Sequence, residues 1–256
     1  MSFRRGYIPR DYQSHPLGSS EFTVKWDEQA MPLLSRKEAV ELAKQNIAKG
    51  TDPLSLCFKW NVLPMWQNGL GYCWIYAAVM GLKVGFAHSG QPVPDLEPTA
   101  PGALIKGYRD RGGNAFQAFP HLAEHGVPTK EYWKQHALDR RYDTPEMREN
   151  ARKHLVVQWF ELPDNSDQHK WTALAYNFSI WSGYMNIGHA MLSARLEEDS
   201  RGNPVALDIN SWSREASEST SWKDSWLGDK RVIYRRGGRD FRSFEQYAVR
   251  VVSTVS

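Results

Sequence analysis

Cysteine is nearly absent from this chain: Cys57 and Cys73 are the only two among 256 residues. That count excludes a disulfide framework of the secreted kind and a cysteine-rich zinc site, and it points to a reducing compartment. Long apolar runs are missing as well. No stretch approaches the roughly 18 consecutive apolar residues of a membrane span. The opening MSFRRGYIPRDYQ carries positive residues with no apolar run behind them, so no secretory signal is expected. These absences predict a soluble protein, cytoplasmic or particle-associated, without a membrane partner. Charge of one sign is scarce too: 32 basic against 29 acidic residues leave a net +3. Nucleic-acid binding calls for a concentrated basic surface, so nucleic acid is not an expected partner. Internal repeats and low-complexity tracts are also lacking.

What is present suits a globular enzyme-sized unit. Hydrophobic residues make up 41% and charged residues 24%, enough apolar side chain for a sizeable core. The length fits one bilobed domain or two small ones. Residues 1–34 are rich in Pro, Gly, Ser and aromatics without period and read as an extended arm. Ser35 with Glu38 forms a capping box, Val40, Ala43 and Ile47 recur at helical spacing, and Gly50 supplies the stop. Leu54 to Trp66 reads as turn plus strand, and Cys73 to about Leu82 as a buried helix entered through Gly69 and Gly71. Pro92, Pro94, Pro98 and Pro101 predict an irregular excursion over 89–103. A short helix is expected around Leu122 and Ala123, with Pro120 in its first turn or kinking it, and another from Thr144-Pro145-Glu146 to about His154. Beyond that, VVQWFEL, FSIWSGYM, HAMLSARLEE, PVALDIN, KRVIYRR and YAVRVVS are strand-like in their branched and aromatic content. Helices crowd the first part and strands the last, which predicts an α+β fold: an arm and helix over 1–50, a helical lobe over 51–150 and a β-rich lobe over 151–256.

Cys73 opens an apolar helix, and the partial positive charge of a helix N-terminus favours a thiolate. A nucleophilic thiol also needs an imidazole from elsewhere and a third group to orient that ring. Of the eight histidines, His189 stands out because it follows Gly188 and opens a strand-like run. Cys57 has no such context and reads as a packed core thiol. His121 and His125 lie four apart but lack a third ligand, so a solvated helix face is expected rather than a metal site. Arg231, Arg235, Arg236 and Arg239 read as a solvated hairpin surface.

Gln67-Asn-Gly-Leu-Gly-Tyr-Cys73-Trp74, Arg111-Gly112-Gly113, Gly188-His189-Ala190 and Asn210-Ser211-Trp212 together resemble, in order and spacing, the motifs of the papain-like cysteine peptidases. His189 and Asn210 follow Cys73 by 116 and 137 residues, against roughly 130–150 in such enzymes, so the interval to the histidine is somewhat short. The resemblance spans roughly residues 58–226. It implies a two-lobed fold, a helical lobe and an antiparallel β-barrel-like lobe with the active-site cleft between them. It also implies a Cys73-His189-Asn210 triad acting on peptide or isopeptide bonds through a thioester, with no cofactor and no metal. In that scheme the Cys73 N–H and the Gln67 amide hold the oxyanion, His189 is protonated in the resting pair, and Asn210 fixes its ring. Trp212 shields that bond, while Gly112 and Gly113 hydrogen-bond an extended peptide or protein substrate beside Trp74.

The departures are specific. Leu70 stands where most relatives have a disulfide cysteine, and no cysteine stands beside Gly112. Tyr72 replaces the usual small residue before the nucleophile and is expected to narrow the cleft or reshape its first pocket. Ser213 replaces the usual glycine. The 66 residues before Gln67 are fewer than a typical inhibitory prosegment plus the start of a mature enzyme require. The arm Met1 to Gln29 is expected either to cross the cleft and silence the enzyme or to contact protein assembly partners. The contrasting function is a structural or assembly component of a larger particle, such as a virion, built on the same scaffold.

Overall fold

The computed structural model describes residues 6–163, 166–217, 233–237 and 243–253. Its elements, in chain order, are β1 (Thr23–Val24), α1 (Arg36–Lys49), α2 (Pro53–Lys59), α3 (Cys73–His88), α4 (Thr99–Ile105), α5 (Ala115–Glu124), a 3-10 turn (Arg140–Tyr142), α6 (Pro145–Ala151), β2 (Leu155–Leu162), α7 (Asp167–Ala175), β3 (Ile180–Tyr184), β4 (His189–Glu198), β5 (Pro204–Ile209), α8 (Arg214–Ser217), β6 (Ile233–Gly237) and β7 (Glu245–Ser253). Local chemistry explains the best-defined ends. The Ser35 side chain accepts from Glu38 N–H while Glu38 reaches back to Ser35, and Gly50 closes α1 in the left-handed conformation. Thr144 caps α6 by accepting the Met147 N–H, with Pro145 at its first turn.

Seven strands form one sheet in the order β1-β2-β7-β3-β4-β5-β6. The pairings are antiparallel except β1 with β2. Because successive side chains of a strand face opposite ways, the sheet serves two cores. Trp159, Trp181, Leu192 and Tyr247 face α3 and join the largest core cluster, which also takes in α2 and α5. Phe160, Ile180, Leu196 and Ala248 face the other way, against α1 and α7. A third cluster sits between α4 and α6 around Trp133 and Met147. Helix α3 is therefore the axis of the molecule: its first residue is Cys73, and nearly all its side chains are buried between the helical side and the sheet.

Three expectations need correction. Leu54 to Trp66 is not turn plus strand; it opens with α2, whose Asp52 N-cap accepts from Ser55 N–H and whose first residue is Pro53. The proline-rich stretch is irregular only to Pro98, since α4 runs through Pro101, which lies in its first turn where no backbone N–H partner is needed. Pro120 lies in the body of α5, which starts earlier than expected because Asn114 caps it. Helix α7, capped by Ser166, was not anticipated. Of the arginine cluster, Arg231 and Arg239 lie outside the described residues, as do residues 230–232 of the KRVIYRR segment. Arg235 pairs with Glu197 at 2.8 Å, and the Arg236 guanidinium lies over the Tyr184 ring.

Candidate active site

Cys73 is the first residue of α3, directly after the Gly69–Gly71 approach loop, and is fully buried. His189 opens β4 and Asn210 follows β5, so the β4–β5 pairing sets the two side by side. Nε2 of His189 lies 2.6 Å from Asn210 Oδ1, which also accepts the Ser211 N–H at 2.9 Å. That bond leaves Nδ1 as the ring atom for the thiol. The Trp212 indole covers the imidazole, with ring centroids 4.1 Å apart. The N–H groups of Ala190, Trp74 and Gly6 lie against the Cys73 sulfur, which brings the residue next to His189 into contact with that thiol.

Gln67 is held at both ends. Its Oε1 accepts from the Ser211 hydroxyl, its Nε2 donates to Leu70 O at 2.6 Å, and its backbone N–H donates to Ser211 O at 2.9 Å. A primary amide has two N–H bonds, so one remains for an oxyanion. Trp74 lies beneath Gly113, where an added Cβ would approach the indole to 2.7 Å, and its carbonyl accepts from Trp181 Nε1. Tyr72 departs from expectation. Its ring packs on Gly102 of α4 and its hydroxyl donates to Arg109 O at 2.9 Å, so it fills the helical core rather than the cleft.

The cleft itself holds the chain's own arm. Tyr7 N–H donates to Gly188 O at 3.1 Å, Ile8 N–H donates to Gly113 O at 2.9 Å, and Gly113 N–H donates to Gly6 O at 2.9 Å. Tyr7 and Gly113 thus form a parallel bridge. A Cβ added to Gly6 would lie 2.6 Å from Gly71 O and 2.9 Å from Cys73 Sγ, so the arm passes over the Cys73 thiol where only a bare backbone fits. Gly112 gives way in the same manner beneath Gly6 O. The Tyr7 ring lies against Gly183 and edge-on to Trp181, with its hydroxyl toward Glu245. Arg10, 3% exposed, locks the arm further. Its Nη1 donates to the Tyr247 hydroxyl at 2.6 Å and pairs with Glu161 at 3.1 Å, and its backbone N–H donates to Glu245 at 3.2 Å.

Burial acts on both groups, Cys73 and His189. Burial pushes the Cys73 thiol up to about 12, against the pull of the surrounding N–H groups. Burial also pushes His189 down to about 4; Asn210 raises it and Arg236 lowers it. Both shifts run against the expected thiolate–imidazolium pair, because a charged pair needs solvation that the covered cleft denies. Cys57 is a fully buried thiol pushed up to about 12 by burial. The His121 and His125 rings lie 4.7 Å apart. Among the described residues no group of three His, Cys, Asp or Glu is placed to hold a metal, and no helix is long and apolar enough to cross a membrane.

Sequence reasoning missed Ser211 as the group that orients Gln67, although it lies inside the Asn-Ser-Trp motif. It also missed Arg10, Glu245 and Trp181, which carry no local signal because their partners are more than 100 residues away.

No family model matches the chain, and no curated protein matches it in sequence. Solved structures do. A recombinant stem bromelain precursor superimposes with a TM-score of 0.62 at 15% identity, covering 92% of this chain and 76% of that one. The bromelain protease from Ananas comosus, solved with the E64 inhibitor, gives 0.57 at 16% identity over 80% and 98%. Xylellain, a cysteine protease from Xylella fastidiosa, gives 0.52 at 13% identity over 76% and 83%. With the helical side carrying Cys73 and the sheet carrying His189 and Asn210, the chain has the fold of the papain-like cysteine proteases.

Proposed function

We propose that the chain is a cysteine peptidase held latent by its own N-terminal arm. The observation that carries this reading is the backbone ladder of Gly6, Tyr7 and Ile8 across Gly113 and Gly188, which lays a peptide over Cys73 and beside the His189–Asn210 pair. Such a ladder reads main chain and not side chains, as a site for extended peptides must. Cys73 is the nucleophile on a peptide or isopeptide carbonyl, giving a thioester and releasing the amine. His189 takes the thiol proton and gives it to the leaving amine, then draws a proton from water for deacylation. Asn210 fixes the ring, and the Cys73 N–H with the second Gln67 N–H holds the oxyanion.

The arm escapes cleavage for a geometric reason. Attack requires the carbonyl carbon near Sγ with its oxygen in the oxyanion site, whereas Gly6 O is held by Gly113 N–H instead. Incubating the full chain, and a chain lacking residues 1–8, with a peptide library and reading products by mass spectrometry tests the reading. Cleavage by the shortened chain, lost on Cys73→Ser, is the expected result. A folded shortened chain that cleaves nothing would turn the assignment to the scaffold role in a larger assembly, with the arm as its own plug.

A further inference from the structure

Away from the cleft, the chain between α2 and Gln67 forms one wall of a separate cavity of about 310 Å³. Trp60, Trp66, Pro94 and Pro98 line it, together with four charged side chains: Asp95 and Lys130, which pair with each other, Lys83 of α3 and Glu97 before α4. The last two are buried: Lys83 is 8% exposed and Glu97 not at all. Glu97 Oε1 accepts the Thr99 N–H at 3.1 Å, but its Oε2 has no partner among the described residues. Lys83 has no hydrogen bond or ion pair among the described residues, and Asp95, the acid that acts on it, is already paired with Lys130 at 2.8 Å. Burial drives Lys83 down to about 8 and drives Glu97 upward, the direction in which desolvation opposes each charge.

A buried charge without a partner is costly, so such groups are found paired or coordinating something. Here a lysine and a carboxylate oxygen, both without a partner among the described residues, line one space walled by two indoles. Its volume is at the lower end of small-molecule sites. The walls are also held in place. Trp66 O is bonded to His136 Nε2 at 2.6 Å, and the Arg214 guanidinium lies 5.4 Å from the Trp66 ring. The Tyr76 hydroxyl is bonded to Thr99 Oγ1 at 2.8 Å.

We propose that this cavity binds a small zwitterion with a large apolar side chain, a free amino acid or a dipeptide. Its carboxylate meets Lys83, its ammonium meets the Glu97 Oε2, and its side chain lies between Trp60 and Trp66. The proposal is independent of the peptidase reading, because none of these residues belongs to the triad.

Calorimetry and tryptophan fluorescence on the full chain test it, with phenylalanine, a phenylalanyl-leucine dipeptide, and the N-acetylated and amidated forms of each. The expected result is binding of at least one zwitterion, weakened about tenfold or more by either blocking group, the loss expected when a charge-assisted hydrogen bond goes. Preference between the two probes assigns the ligand's length. Lys83→Met and Glu97→Gln, each checked for native circular dichroism, are expected to weaken binding similarly. Should either variant fail to fold, the blocked ligands on the unaltered chain decide. Absence of binding at millimolar concentration, equal binding of free and blocked forms, or unchanged binding in both folded variants would overturn the proposal.

Discussion

On the proposed mechanism, replacing Gln67 by alanine removes one oxyanion donor, and it leaves the Ser211 hydroxyl and the Leu70 carbonyl without their amide partner. In the chain lacking residues 1–8, kcat is expected to fall by about 10²–10³-fold, as for loss of a single oxyanion donor, with KM little changed. A loss confined to KM would remove Gln67 from that role. Ser211→Ala is expected to produce a milder form of the same defect, because it frees the amide to rotate without deleting it. A second prediction concerns the arm. Gly6→Val cannot be accommodated over Gly71 and Cys73 without displacing the arm, so thiol labelling of the full-length variant should rise toward that of the shortened chain. Unchanged labelling in the folded variant would mean that Gly6 does not gate the nucleophile. Cys73, His189, Asn210 and Gln67 were singled out in the sequence because each sits in a short motif, and the fold brings them to one cleft. Arg10 and Glu245 could not, since their meaning arises only when the arm folds back over the sheet.

At the scale of elements, α2 shows how a short helix hides. Seven residues give too little period to recognise, and its markers, Asp52 as cap and Pro53 at the first position, lie outside its apolar run. Asp52 also pairs with Arg195 of β4 at 2.7 Å, with side chains 4% and 13% exposed, and so ties α2 to the sheet. Asp52→Ala removes the cap and leaves a largely buried guanidinium short of its carboxylate. The expected cost is roughly 3–5 kcal/mol, read as a fall in denaturation midpoint; a change no larger than that of a surface substitution would contradict it. By contrast α1, α6 and β2 to β5 were legible in outline, because capping boxes and branched or aromatic runs are local signals. Pro101 and Pro120 misled because their tolerance depends on position in the turn, which sequence alone did not fix.

For the molecule as a whole, the arm couples the two sides of the cleft, touching Gly113 before α5 and Gly188 before β4. It also covers Glu245, whose carboxyl burial raises to about 7 against the pull of Tyr7, Arg10 and Tyr247. A carboxyl raised in the docked state favours docking while protonated. The contribution is complete below the ordinary glutamate pKa, near 4.3, and is lost as pH rises through about 7. The full chain should therefore gain thiol reactivity relative to the shortened chain between about pH 5 and 8, and Glu245→Gln should flatten that ratio; a ratio independent of pH would refute the coupling.

The central claim, an activatable Cys73 beneath a removable arm, is tested most directly by active-site titration with an electrophilic peptide probe. The full chain and the chain lacking residues 1–8 are compared, each also with Cys73→Ser and with Cys57→Ser. The account predicts stoichiometric labelling of the shortened chain that disappears with Cys73→Ser, persists with Cys57→Ser, and is much slower when the arm is present. Labelling that follows Cys57, or a folded shortened chain whose Cys73 stays unreactive, would contradict it.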